Sequence, residues 1–122
     1  MQLNNYNVVS ILELKKYTEE RSIPKKTIVI TFDDGHKDNY TEVFAVIKKY
    51  KFPITIFLTT GLIGTNGMLS KEEILEMHAS GLVDFEPHGE HHLKLTHLNH
   101  LELSKNILNS KDLIEKMLNK EC

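Results

Sequence analysis

The chain has 122 residues, of which 40% are hydrophobic and 26% charged, with only three Pro and six Gly. That length supports one domain with its own hydrophobic core and is too short for two, and the composition excludes a disordered or fibrous chain. Fifteen basic against seventeen acidic side chains leave a net charge of -2, which argues against a nucleic-acid surface.

In chain order, Tyr6-Asn7-Val8-Val9 reads as a short strand. Ser10 with Glu13 then forms a capping-box signature that opens a helix to about Glu20. The run from Thr27 to Phe32 is apolar and β-branched almost without alternation, the pattern of a parallel strand buried on both faces, and Asp33-Asp34-Gly35 ends it. A helical stripe of Tyr40, Val43, Phe44 and Ile47 follows, with Asn39 and Glu42 resembling a cap. Phe52-Pro53 stops it before a second β-rich run, Ile54 to Thr59, and a glycine-containing loop from Gly61 to Gly67. Ser70 and Glu73 cap a helix ending near Gly81, and Leu82 to Phe85 gives a fourth strand. After a His-rich loop, Asn99 and Glu102 open a long helix through Leu103, Ile107, Ile114 and Leu118. Four strand-helix units in succession predict an α/β fold, with a parallel sheet and helices packed on it. Residues 1–122 show no linker and are expected to form one domain.

The Lys pairs at 15–16, 25–26 and 48–49 fall at helix ends or in a loop and read as solvated faces. The lone cysteine is Cys122, so no internal disulfide is available to indicate a compartment. No apolar run reaches the length of a membrane span, and the first twenty residues lack the pattern of a signal peptide. The localisation is therefore left open, with no membrane span expected.

Seven His, five of them between His88 and His100, are the compositional oddity. Asp33 and Asp34 stand at the carboxyl end of the second strand, and His88 lies just beyond the carboxyl end of the fourth. In parallel α/β folds that end is where the strand-to-helix loops meet and catalytic groups gather. His88 and His92 are four apart, so one helical turn would put both imidazoles on one side, with Asp34 the natural third ligand of a metal ion. Two imidazoles and one carboxylate leave coordination positions open, as a catalytic site requires. Two adjacent ionised Asp would repel one another in a dry pocket unless a cation compensates one of them, and the other is then free to accept a proton. Asp-Asp-Gly after a strand is also ordinary turn chemistry. The joint placement of both motifs at the same end of two strands is what favours a metal centre.

Thr31-Phe32-Asp33-Asp34-Gly35, then His88-Gly89-Glu90-His91-His92 and Leu95-Thr96, resemble the first two motifs of the NodB-homology polysaccharide deacetylases, carbohydrate esterase family 4. Asp38 to Tyr40, Phe52 to Phe57 and Gly61 to Gly64 are similar as well, so the resemblance covers nearly the whole chain. It implies a distorted (β/α) barrel, of which residues 1–122 would be a partial domain. It also implies that Asp33 is the general base and that Asp34, His88 and His92 hold a divalent metal, most often Zn²⁺, with Co²⁺, Ni²⁺ or Mn²⁺ as substitutes. The reaction implied is hydrolysis of N-acetyl or O-acetyl groups on a polysaccharide, such as an N-acetylglucosamine polymer, by metal-activated water. Members of the family are often secreted or at the cell envelope.

Departures from the family pattern matter too. Glu86-Pro87 stand where small residues are usual, and Gly89 where Ser or Thr is usual, changes expected to alter the shape of the metal loop. The family's later motifs, which supply a base-orienting group, part of the oxyanion hole and a general acid, do not occur within residues 1–122. The alternative expectation is therefore a catalytically incomplete metal-binding or interaction fragment. Open sheet edges would then be covered by homo-oligomerisation or by a longer native chain. Among the other histidines, His36 is expected as a solvated loop residue, His91 facing away from the metal, and His78, His97 and His100 at ordinary surface positions. Thr60 at a strand end is a candidate for the border of the expected substrate region and is given no role.

Overall fold

The structure is a computed structural model that describes residues 2–3 and 5–122. Strand β1 (Gln2–Leu3) pairs antiparallel with β2 (Tyr6–Val8), and β2 runs parallel to β3 (Thr27–Ile28). A second sheet contains β4 (Thr31–Asp34), β5 (Ile54–Leu58) and β6 (Val83–Pro87), in that order and all parallel. Between and after the strands come α1 (Ile11–Glu19), α2 (Phe44–Tyr50), α3 (Lys71–Ala79) and α4 (His100–Leu118). The parallel α/β architecture expected from the alternation is present. Among the described residues no helix is long and apolar enough to cross a membrane.

The central strand β5 explains where the core lies. Ile54, Ile56 and Leu58 are buried on it, with Phe85 from β6, Ile74 and Met77 from α3, and Ile114 from α4 packed around them. Burial of each such side chain contributes about 1.5–3 kcal/mol, so this cluster is the main force that fixes the sheet's register. Three of the four anticipated caps form, each as a capping box: Ser10 with Glu13, Ser70 with Glu73 and Asn99 with Glu102. In each, the polar side chain satisfies a backbone N–H that the first helical turn would leave unpaired.

Three expectations need correction. The run from Thr27 to Phe32 is not one strand buried on both faces, because it serves two partners in turn. Val9 N–H donates to the carbonyl of Ile28 on the β2 side, and Thr55 N–H donates to the carbonyl of Ile30 on the β5 side. The sheet order leaves β4 at an edge, so Thr31 is exposed and Phe32 only half-buried. Asn39 is not an N-cap. Asp38 before it is already helical (φ -65°, ψ -19°), whereas a cap needs an extended backbone, and Asn39 is instead buried in a π-helical turn, Asn39–Val43, that leads into α2. In α4 the buried stripe runs through Asn106, Ser110, Ile114 and Leu118, and Ile107 is 45% exposed. The first half of that helix faces the backbone of the loop after β6, where polar partners are needed more than apolar ones.

Candidate metal centre

Asp34 ends β4 opposite Leu58, and its backbone has turned into the left-handed region, with φ 73°. Such a conformation is unfavourable for a residue with a side chain and persists only where neighbours enforce it. Thr59, fully buried, is that neighbour: its N–H donates to the Asp34 carbonyl (3.2 Å) and its hydroxyl donates to Asp34 Oδ1 (3.3 Å). Gly35 completes the turn, since a Cβ there would stand 2.6 Å from Leu58 Cδ2.

His88 follows the last residue of β6, and its N–H donates to the Leu58 carbonyl (2.8 Å), one step beyond the β5 ladder. The segment from His88 to His92 is not helical, contrary to the single turn expected from the spacing. It is a bend with Gly89 at φ 83°, and its backbone groups are taken up from two sides. Thr60 N–H and Gly61 N–H donate to the carbonyls of Gly89 (3.0 Å) and Glu90 (2.7 Å). From the other side, Asn106 accepts from Glu90 N–H through its backbone carbonyl (3.0 Å) and from His91 N–H through Oδ1 (2.8 Å). The glycine anticipated to reshape this loop therefore suits a bend that a Ser or Thr would enter only with strain.

These two anchors bring Asp34, His88 and His92 together, with one ligand atom of each lying within 4.8 Å of the others. Asp34 Oδ1 is 3.5 Å from His88 Nε2 and 3.6 Å from His92 Nε2. Both separations exceed the roughly 3.2 Å limit of a good N–H···O hydrogen bond. Two donors each about 2.0–2.2 Å from one ion at a tetrahedral angle lie roughly 3.4 Å apart, so the spacing fits the edges of a metal polyhedron better than a hydrogen bond. Asp33, one residue earlier, is exposed and outside this group.

The remaining sequence candidates divide. His36 is exposed, as anticipated, yet its Nε2 lies 3.6 Å from the second carboxylate oxygen of Asp34, so it flanks the group rather than lying apart. His91 is outside the convergent group; its ring lies over Gly61, where a Cβ would meet Nδ1 at 3.0 Å. His97 and His100 are exposed. His78 is half-buried, with Nδ1 lacking a hydrogen-bond partner among the described residues, and is not an ordinary surface residue. Thr60 is buried and acts through its N–H on the loop. Sequence reasoning did not single out Thr59, Gly61 or Asn106. Their contributions are hydrogen bonds and close packing to residues distant in the chain, and only the strand-end position of Thr59 offered a signal.

Residues 20–122 match the family model described as polysaccharide deacetylase. The chain is similar to the poly-β-1,6-N-acetyl-D-glucosamine N-deacetylase of Staphylococcus epidermidis, 37% identical over 93 residues, covering 72% of this chain and 32% of that protein. Among solved structures it is similar to the Streptococcus pyogenes deacetylase PplD in complex with acetate, with a TM-score of 0.88 and 27% identity over 97% of this chain and 53% of that one. It is also similar to a polysaccharide deacetylase from Bacillus cereus, with a TM-score of 0.80 and 28% identity over 97% of this chain and 37% of that one. The chain spans about a third of the length of the curated relatives it matches.

Proposed function

We propose, because this chain belongs to the polysaccharide deacetylase family, that it forms the metal-holding part of a hydrolase that removes acetyl groups from a polysaccharide. The observation that carries this reading is the convergence of Asp34, His88 and His92 at the carboxyl end of the parallel strands. In this reading those three residues hold a divalent cation, with Zn²⁺ best suited to two imidazoles and a carboxylate. When bound, such an ion supplies Lewis acidity, polarising a carbonyl oxygen and lowering the pKa of a coordinated water to about 7.

Asp33 and Asp34 then divide the work. The Asp34 carboxylate is engaged by Thr59 and faces both imidazoles, so it serves as a ligand. Asp33 stays exposed at the end of the strand and is assigned as the base that accepts a proton from the attacking water. The Staphylococcus epidermidis relative, by its name a poly-β-1,6-N-acetyl-D-glucosamine N-deacetylase, supports an N-acetylglucosamine polymer as substrate, with release of acetate and a free amine.

Acetate release from N-acetylglucosamine oligomers, followed with added Zn²⁺ or Co²⁺, tests this reading. Asp33→Asn should retain the metal and lose acetate release, and undiminished release would remove Asp33 from the role of base. A second reading is a metal-binding module without turnover, favoured by the position of Asp33, exposed and outside the group formed by Asp34, His88 and His92. Bound metal with no acetate released from any oligomer would support it.

A further inference from the structure

We infer that Asn106 is a positioning residue for the proposed metal centre: it holds the bend from His88 to His92 in the shape that turns both imidazoles toward Asp34. The inference rests on the metal-centre reading and extends it to a side chain outside the convergent group.

Asn106 lies in the first half of α4 and is 4% exposed. A buried carboxamide in place of an apolar residue is unfavourable unless its polar atoms are paired. Its partner is the loop. His91 N–H donates to Asn106 Oδ1 at 2.8 Å, across fifteen residues of sequence, and Glu90 N–H donates to the Asn106 carbonyl at 3.0 Å. A backbone N–H can only donate, so the side-chain atom that faces it must be the oxygen, and the amide's orientation follows. Asn106 thus takes up two consecutive loop amides, one through its backbone and one through its side chain.

Six backbone groups of the bend are paired: the N–H groups of His88, Glu90 and His91 and the carbonyls of Gly89, Glu90 and His91. On the strand side, Leu58 accepts from His88, while Thr60 and Gly61 donate to Gly89 and Glu90; within the loop, Leu93 N–H donates to His91. Among these bonds, within the described residues, the one to His91 N–H is the one that depends on a side chain. Among the described residues the buried Asn106 Nδ2 has no hydrogen-bond partner, and a Cβ at Gly89 would stand 2.8 Å from it. The carboxamide therefore also fills the space beside Gly89, directly after the first His. An apolar residue of the same size would fill that space but leave the His91 N–H unpaired.

The test titrates Co²⁺ into the metal-free chain and follows its visible absorption, which reports the ligand geometry. Asn106→Leu, with a far-UV circular dichroism spectrum matching the parent, should weaken Co²⁺ binding about 10–100-fold and change the absorption bands, the scale seen when supporting partners of metal ligands are removed. Asn106→Asp, which retains an oxygen acceptor for His91 N–H, should bind with the parent spectrum. Equal affinity and an identical spectrum for Asn106→Leu would overturn the inference. So would loss of binding as severe as that in Asn106→Leu in an Asn106→Asp chain whose far-UV circular dichroism spectrum also matches the parent. Hydrogen exchange of the unaltered chain gives a reading that needs no variant to fold: the His91 amide should be protected, and rapid exchange there would overturn the inference. A parent chain that binds no Co²⁺ would instead sink the metal-centre reading, and this inference with it.

Discussion

Asp34 occupies a backbone region that side chains other than Gly rarely adopt, and residues so held cost of order 1–3 kcal/mol. The two hydrogen bonds from Thr59 offset that cost and aim the carboxylate. The same logic makes Gly89 a sensitive position. Gly81 and Gly89 have similar φ values, 75° and 83°, but a Cβ at Gly81 meets nothing within 4 Å, whereas one at Gly89 meets Asn106 Nδ2 at 2.8 Å. Gly81→Ala should therefore show the conformational cost alone, about 1–2 kcal/mol. Gly89→Ala should cost more in a urea titration, because Asn106 is buried and bonded and cannot move aside freely. Equal losses would mean that the Asn106 contact carries no energy. Asp33, Asp34, His88 and His92 could be singled out from sequence because their residue types suit metal chemistry and their strand-end positions coincide. Thr59 and Asn106 could not: a Thr in a β-rich run and an Asn in a polar helix both have bland explanations, and their partners lie 25 and 15 residues away.

The starts of α1, α3 and α4 were legible because a capping box is a local device, written within four residues, whereas the same spacing at Asn39 and Glu42 gave no cap because the backbone before it is already helical. The split of Thr27 to Phe32 between two sheets was not, because the choice of partner strand depends on β2 and β5 together rather than on the run itself. The cap of α3 has a consequence in acid. Burial on its own would push the Glu73 carboxyl up, but hydrogen bonds from Lys37 and Ser70 outweigh it and hold the group below its ordinary 4.5. Lys37 lies in the turn after β4, so this carboxylate ties α3 to the site's loop as well as capping the helix. A carboxyl lowered on folding adds stability that is fully present above its unfolded pKa and is lost as pH falls through the folded value. The stability advantage of the parent over Glu73→Gln should accordingly be greatest above pH 4.5 and shrink below it. Denaturation curves that stay a constant distance apart across that range would contradict the assignment.

At the scale of the molecule, the parallel order β4-β5-β6 puts Asp34, Thr59 and His88 at one end of neighbouring strands, and α4 packs back to brace the loop between them. The parallel α/β class was legible from alternation alone, since parallel neighbours require crossover helices. The bend that unites His88 and His92 was not, since its shape comes from hydrogen bonds to Thr60, Gly61 and Asn106 rather than from a helical repeat. The proposal that this end of the sheet holds a divalent cation is met most directly by anomalous diffraction at the zinc absorption edge, from crystals of the chain grown with Zn²⁺. The account predicts one strong peak bonded jointly to Asp34, His88 and His92, and absent in His88→Ala. A peak bound elsewhere, or one unchanged in His88→Ala, would contradict it.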